Sequence, residues 1–257
     1  MIPQVQPLGD PEENAVRIAL LSKLESDPGH YLAEYTRRFG NVLNADNAAT
    51  LFGEYNENPA KYRVAAHPAA QWIRDELFRL SLLVSALPER NRIVFTSGGN
   101  AAGKTCALTF ANAMQTAHVV FDSTLTNPDY ARRLIERVLE SSKAVSILYV
   151  NRPLDDALEG MIERCRDEGR VVTIHQIIES QRLAATTVRR LWNTFRQDPR
   201  VAFTFLANSS QETREAGVET AIPQDYTESR LKLNELLHAA YNAKRISEAN
   251  YLRIRGS

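Results

Sequence analysis

The sequence predicts an α/β fold, a mostly parallel sheet with helices on both faces and helical additions at both ends. Three observations carry this. From residue 91 onward short apolar runs alternate with helical stretches, the pattern of strand–helix–strand units. A glycine-containing loop joins the first of these runs to its helix. The first third of the chain and the tail 225–255 carry apolar residues at helical spacing.

The elements follow in order. "DPEENAVRIALLSKLES" opens on an Asp-Pro cap signal and predicts a helix. "YLAEYTRRFG" predicts a second helix closed by Gly40. "NVLNADNA" reads equally as a strand or as the entry to a helix. "HPAAQWIRDELFRLSLLVSAL" predicts a long helix with Pro68 near its start and a stop at Pro88. "RIVFTS" is the first strand and "KTCALTFANAMQ" its helix. "HVVFDS" is the second, followed by the helix "DYARRLIERVLESS". "VSILYV" is the third, followed by "PLDDALEGMIERCRDEG", and "VAFTFLAN" is the fourth. The tail predicts two helices, "TESRLKLNELLHAAYNA" and "SEANYLRIR". Glycine and proline are sparse and gaps are short, so the 257 residues read as one domain with helical additions.

Composition bounds the partners. Apolar residues make up 44% and charged residues 24%, with Lys+Arg and Asp+Glu balanced at 31 each. Charge therefore argues for neither a nucleic-acid nor a membrane surface. No apolar run approaches the ~20 residues of a membrane span. Cys106 and Cys165 read as free thiols of a reducing compartment, so a cytoplasmic location is expected.

The loop Gly98-Gly99-Asn100-Ala101-Ala102-Gly103-Lys104-Thr105 fits GxxxxGK[ST] at every fixed position. Its glycines let successive N–H groups turn inward onto phosphate oxygens, and the helix start adds its positive end. Lys104 would reach the β- and γ-phosphates, and the Thr105 hydroxyl would bind Mg²⁺. A strand before and a helix after are the context the motif requires. Asp122 ends the strand "HVVFDS", where such proteins place a carboxylate for the metal or its water. The alternative for Asp122 is a cap on the next helix, for which Asn127 or Asp129 is better placed. A guanine-reading NKxD run is absent. The stretch "MIERCRDEGR" places Arg164, Arg166 and Arg170 on and just after a helix, where a lid could bring them to a transferred phosphoryl group. A solvated basic face is the alternative.

Together, "FTSGGNAAGKT", "VVFDSTLTNPDYARRLIERVLE", "ILYVNRP" and "MIERCRDEGR" resemble the zeta-toxin family of P-loop kinases over about residues 90–210. In that family the strand after the P-loop helix ends in an acidic residue-x-Thr; here it ends Asp122-Ser123-Thr124. Two arginines of the family's lid contact the ATP phosphates, and Arg164 and Arg170 fall in the matching segment, more closely spaced. The resemblance implies ATP and Mg²⁺, and an acceptor hydroxyl on a nucleotide-linked small molecule such as UDP-N-acetylglucosamine or NAD. It also implies an antitoxin or immunity protein as partner, and delivery into another cell is an added option.

One departure is informative. The family carries its catalytic Asp in a segment between the P-loop helix and the acidic strand, and here the interval from Thr105 to Asp122 is too short to hold it. Residues 41–85 resemble that segment, moved ahead of the P-loop. In a parallel sheet, order in space need not follow order in sequence. "NVLNAD" would then be a strand, Asp46 the base, and Asn47, Tyr62, Arg63 and His67 would lie on the acceptor side with Thr124. The alternative is a helix start with Asp46 as its N-cap, and the residues alone leave both open. On this reading residues 1–40 are a helical addition, 41–90 bind the acceptor, 91–210 bind the nucleotide, and 211–257 are a helical extension. Asn208 could touch the adenine or, more simply, cap a turn. Trp72 and Trp192 sit in apolar helical stripes that read as core, and Cys106 as a packed small residue. The reading is a zeta-toxin-like phosphotransferase. The competing class is a nucleotide-dependent switch or interaction module with slow hydrolysis.

Overall fold

The computed structural model describes residues 5–168, 171–222 and 229–256; the side chains of residues 106, 110, 166–168 and 229 lie outside that description. Helices α1 (Pro11–Ser26) and α2 (Pro28–Phe39) open it. Each starts on an aspartate cap followed by proline: Asp10 accepts from the N–H groups of Glu12 and Glu13, and Asp27 from that of His30. The capping oxygen satisfies donors a helix start leaves unpaired, and proline loses nothing there. Next come β1 (Val42–Leu43), α3 (Ala45–Ala49), α4 (Gly53–Glu57) and α5 (Pro59–Leu83). After a 3₁₀ turn at Pro88–Arg90, β2 (Arg92–Ser97) leads through the glycine loop into α6 (Lys104–Phe110) and α7 (Ala113–Thr116). The rest runs β3 (Val119–Phe121), α8 (Pro128–Glu140), β4 (Ala144–Asn151), α9 (Leu154–Glu168), α10 (Ile174–Phe195), β5 (Val201–Asn208), β6 (Thr213–Glu215), α11 (Val218–Ala221), α12 (Ser229–Asn242) and α13 (Glu248–Arg255).

The six strands form one sheet in the order β1-β3-β2-β4-β5-β6, parallel except for β6, which runs antiparallel to β5. Alternate residues serve opposite faces, as the pleat demands. Ile93, Phe95, Phe121, Ile147 and Tyr149 pack in one core with residues of α5, α8 and α10. Val94, Val120, Leu148, Val150 and Leu206 pack in another with residues of α6 and α7. Phe78 of α5 meets Phe95 and Phe121 edge-on, with ring centroids 5.9 and 5.2 Å apart, a favourable aromatic geometry. Trp72 and Trp192 pack against this first core.

Three sequence expectations are corrected. Helix α5 begins at Pro59, so Pro68 lies inside it rather than near its start. Proline cannot donate to the carbonyl four residues back. That carbonyl, on Val64, instead accepts from the guanidinium of buried Arg17 on α1 at 3.0 Å, which keeps the helix running and anchors α1 to it. The helix after the glycine loop is broken in two, because Asn112 adopts the left-handed conformation at φ +49°. Third, α10 was foreshadowed only by the apolar helical stripe around Trp192, with no bounds, and the antiparallel strand β6 was not expected. No helix among the described residues is long and apolar enough to cross a membrane.

The C-terminal helices have a definite job in this architecture. Leu233, Leu237 and Ala240 of α12 and Ile254 of α13 form a separate core with Met161, Ile162 and Cys165 of α9, Ile174 and Ile177 of α10, and Ala101 of the glycine loop. Lys232–Asp155 and Arg245–Glu159 ion pairs tie the α12 region to α9 from outside. Helices α9 and α10 are thus held from behind. Leu237 is fully buried. Leu237→Ala is therefore expected to cost about 2–5 kcal/mol and to shift the denaturant midpoint with little change in slope. An unchanged midpoint would mean that this second core does not contribute to stability.

Candidate active site

The site forms at the carboxyl ends of β1, β3 and β2, where open α/β sheets place ligands. The glycine loop leaves β2 and wraps onto the start of α6. Gly103 is its N-cap in a left-handed conformation, φ +82°, and a Cβ there would run into the Asn208 amide. Both reasons require glycine. Asn208, at the end of β5, donates from Nδ2 to the Ala102 carbonyl at 2.8 Å and accepts from the Thr213 hydroxyl at 2.6 Å. It braces the loop, and its bond to Thr213 also closes the β5–β6 turn, as expected of a turn residue. Arg152, after β4, donates to the Ala101 carbonyl at 3.2 Å. From α10, buried Ser180 accepts from the Asn100 N–H at 2.9 Å. Fully buried Gln181 presses on Gly99 so closely that a Cβ would stand 2.5 Å from its Cγ. The loop is therefore held by three elements besides its own strand and helix.

The Lys104 ammonium donates to the carbonyls of Gly98 and Gly99, both at 3.1 Å. Burial pushes its pKa down from the ordinary lysine value; the carboxylates of Asp122 and Asp46 pull it back up, and the Arg164 guanidinium pushes it further down. Three charged side chains thus act on Lys104.

Asp122 follows β3 and is fixed from two sides. Its Oδ1 accepts from the Thr96 hydroxyl and its Oδ2 from the Asn44 amide, each at 2.6 Å. Asn127, not Asp122, caps α8. Asn44 also caps α3, accepting from the N–H groups of Asp46 and Asn47 at 2.7 and 3.2 Å. Asp46 is therefore not an N-cap; it lies in the first turn of α3, one turn beyond strand β1. The Tyr35 hydroxyl secures this entry, donating to the Val42 carbonyl and accepting from the Asn44 N–H, both at 2.7 Å. Its burial pushes its pKa up to about 12.

A cavity of about 580 Å³ brings these groups together. Its walls include Asp46, Asn47, Arg63 and His67 from 41–85, residues Asn100–Thr105 of the loop, Asp122 and Thr124, and Arg164 of α9. Loss of solvent and the charges of Arg74 and Arg63 push the pKa of His67 down, against the pull of Asp46. His67 lies within α5, not at a helix entry. Gly98 and Gly99 do not line the cavity. Tyr62 does not reach the cavity; its hydroxyl donates to Glu12 of α1 at 2.5 Å. Arg170 lies outside the described residues, as do the side chains of Arg166 and Cys106.

Sequence reasoning missed Arg74. It is 7% exposed, bonds Asp75 at 2.8 Å through Nε, and lays its guanidinium 4.7 Å from the Phe121 ring centroid while lining the cavity. An arginine in an amphipathic helix reads as solvated, and only the packing of α5 on β3 turns it inward. Asn44 was equally hidden, because a plain cap residue and one that also orients a carboxylate on the neighbouring strand look alike in sequence.

The family model of the zeta toxins matches residues 109–214. Over that span the chain is similar to the zeta toxins. The zeta toxin match begins within α6, so the glycine loop and the segment before it lie outside the matched region. Two solved structures are similar to the chain. One, the native AvrRxo1-ORF1:-ORF2 complex, is 13% identical with a TM-score of 0.48 over 79% of this chain and 89% of that one. The other, AvrRxo1-ORF1:AvrRxo1-ORF2 with sulphate ions, is 12% identical with a TM-score of 0.44 over 99% and 90%. No curated protein matches the sequence.

Proposed function

We propose that the protein is an ATP-dependent phosphotransferase that moves the γ-phosphoryl group of ATP to a hydroxyl of a nucleotide-linked small molecule. The observation that carries this is the convergence of Lys104, Asp46, Asp122 and Arg164 on one cavity that Asn47, Arg63 and His67 also line. A motor or switch needs the phosphate loop but not the polar residues of 41–85 beside it.

The loop N–H groups and Lys104 would hold the triphosphate, with Lys104 turning from its own loop carbonyls to the β- and γ-phosphates. The acceptor hydroxyl oxygen bonds to the γ-phosphorus as the bond to the β–γ bridging oxygen breaks. The hydroxyl proton passes to Asp46, and ADP leaves. Arg164, and Arg170 in the same proposal, would stabilise the charge on the transferred group. Most of the rate would come from positioning and charge neutralisation. Asp122 and Thr105 suit Mg²⁺, which takes few protein oxygens and completes its shell with phosphates and water. The fit rests on an oriented carboxylate whose oxygens keep free lone pairs, and Thr105 lines the same cavity. When bound, Mg²⁺ would supply charge neutralisation on the phosphates.

One observation supports the role of the segment 41–85 as a displaced acceptor wall. β1 pairs parallel with β3, with Val42 opposite Val120 and Leu43 opposite Phe121. An antitoxin-type partner, implied by the family, belongs to the same proposal.

Arg164→Ala is expected to lower turnover by about a hundredfold or more while ATP affinity changes far less, as for a group that acts in the transition state. Equal losses in both would make it an anchor for the bound nucleotide. The reading as a whole is tested by ADP release. Release should depend on adding a UDP-sugar or a dinucleotide, and slow release indifferent to either would favour the switch.

A further inference from the structure

A second cavity, of about 300 Å³, adjoins the first. The two share Arg63, Asn100, Thr124, Thr126 and Val172 as walls. What is particular to the second comes from α10: His175, Glu179 and Leu183 line it. These residues are four apart, so they form one stripe along the helix. Nothing in the phosphoryl-transfer chemistry uses them.

Taking the phosphotransferase reading for the direction in which the acceptor lies, we infer that this second cavity is the subsite for the acceptor's heterocyclic base, with Glu179 reading a ring or amide N–H and His175 and Leu183 forming the surface on which the ring lies. The route is set by what the first cavity must hold. The triphosphate, its metal and the reacting hydroxyl occupy the space between the glycine loop and Asp46. The remainder of a nucleotide-linked acceptor has to continue past Thr124 and Arg63. Arg63, on the shared wall, is placed to meet an anionic linkage between the two halves.

The chemistry of the second cavity selects its occupant. Glu179 bonds Arg182 bidentately, at 2.6 and 2.9 Å. This hydrogen bond holds its carboxyl below the usual carboxylate range. An ionised carboxylate only accepts hydrogen bonds. It therefore favours a group with N–H donors and repels a second phosphate or carboxylate. Val172 and Leu183 offer apolar surface, and a histidine ring is a common stacking partner for bases. The wall is polar for the most part, with Val172 and Leu183 as its apolar surface. A neutral heterocycle with an N–H edge, as in a nucleobase or nicotinamide, meets the carboxylate, the histidine ring and the apolar surface together, whereas a bare sugar phosphate can donate hydroxyls to the carboxylate but leaves the ring and the apolar surface without a partner.

Binding alone tests this, without turnover. The glycine loop is first saturated with AMP-PNP and Mg²⁺. Dissociation constants are then measured by calorimetry for UDP-N-acetylglucosamine and NAD, and for their base-free fragments N-acetylglucosamine 1-phosphate and ribose 5-phosphate. Wild type should bind at least one base-bearing probe more tightly than its fragment. Leu183→Trp, which fills the cavity from a partly exposed helix position, should weaken that probe at least tenfold and leave the fragment unchanged. Glu179→Gln, a surface change that cannot disturb the core, should weaken the same probe several-fold. Equal effects on probe and fragment, no effect of either variant, or no base-bearing probe bound more tightly than its fragment would each overturn the inference. A protein that passes this test yet transfers no phosphoryl group would fail as a phosphotransferase and keep the subsite.

Discussion

Asp46→Asn is expected to lower phosphoryl transfer by about a hundredfold to ten-thousandfold, the range for loss of a general base, with ATP affinity nearly unchanged. The asparagine keeps the shape of the side chain but cannot take the hydroxyl proton. The backbone N–H of position 46 is held by Asn44, which the variant leaves in place. Asn44 itself is secured by Tyr35 and by Asp122. A melting temperature close to that of wild type alongside the lost turnover would place the effect on the rate and not on the fold. Asp122→Asn should behave differently. Its carboxylate accepts from both Thr96 and Asn44, and an amide can accept through only one of its two positions. Loss of metal-dependent nucleotide binding together with rate is the expected pattern there. Steady-state kinetics with nucleotide titrations separate the two carboxylates. If Asp46→Asn retained full turnover, the base would have to lie elsewhere.

Lys104→Ala should reduce transfer by about a thousandfold, in line with removal of a donor aimed at charge that develops in the reaction, and should weaken nucleotide binding as well. It should not unfold the protein. Burial pushes the Lys104 pKa down, so the charged ammonium is less favourable in the folded state than in the unfolded one. A lysine whose folded pKa is depressed opposes folding while it is charged, and the opposition fades as pH rises through that folded pKa. Removing it relieves this cost, and the melting temperature at neutral pH should hold steady or rise. A marked drop in melting temperature would show that the bonds from Lys104 to the Gly98 and Gly99 carbonyls are structurally required.

The parts of this site that were legible in the sequence are those where chemistry restricts residue type at a fixed spacing. The glycine loop is one, because phosphate-cradling backbone admits few residues. Asp122 is another, a polar residue ending an apolar run. The strands from β2 to β5 were legible because buried parallel strands read as short apolar runs. β1 was harder: with only Val42 and Leu43 in the strand, it is too short for a periodicity to show. Helix α10 carries no motif, yet Ser180 and Gln181 hold the loop from it, and its contribution depends on which face packs against Gly99. Arg74 and Arg17 illustrate the same limit. Both are arginines in amphipathic helices, and both are buried, one over the Phe121 ring and the other on the carbonyl that Pro68 leaves without a donor. Composition and spacing describe a residue's own element, whereas these roles belong to the neighbour it packs against.

The most direct test of the central claim follows the phosphoryl group itself. ATP labelled in its γ-phosphate, Mg²⁺ and a small-molecule extract supplemented with UDP-N-acetylglucosamine and NAD are incubated with wild type and with Asp46→Asn, and the products are analysed by mass spectrometry. The account predicts that wild type places the label on a hydroxyl of a nucleotide-linked molecule, which gains the mass of one phosphoryl group, and that the Asp46→Asn protein does so at a small fraction of that rate. Label appearing only in inorganic phosphate, at the same rate with both proteins, would contradict it.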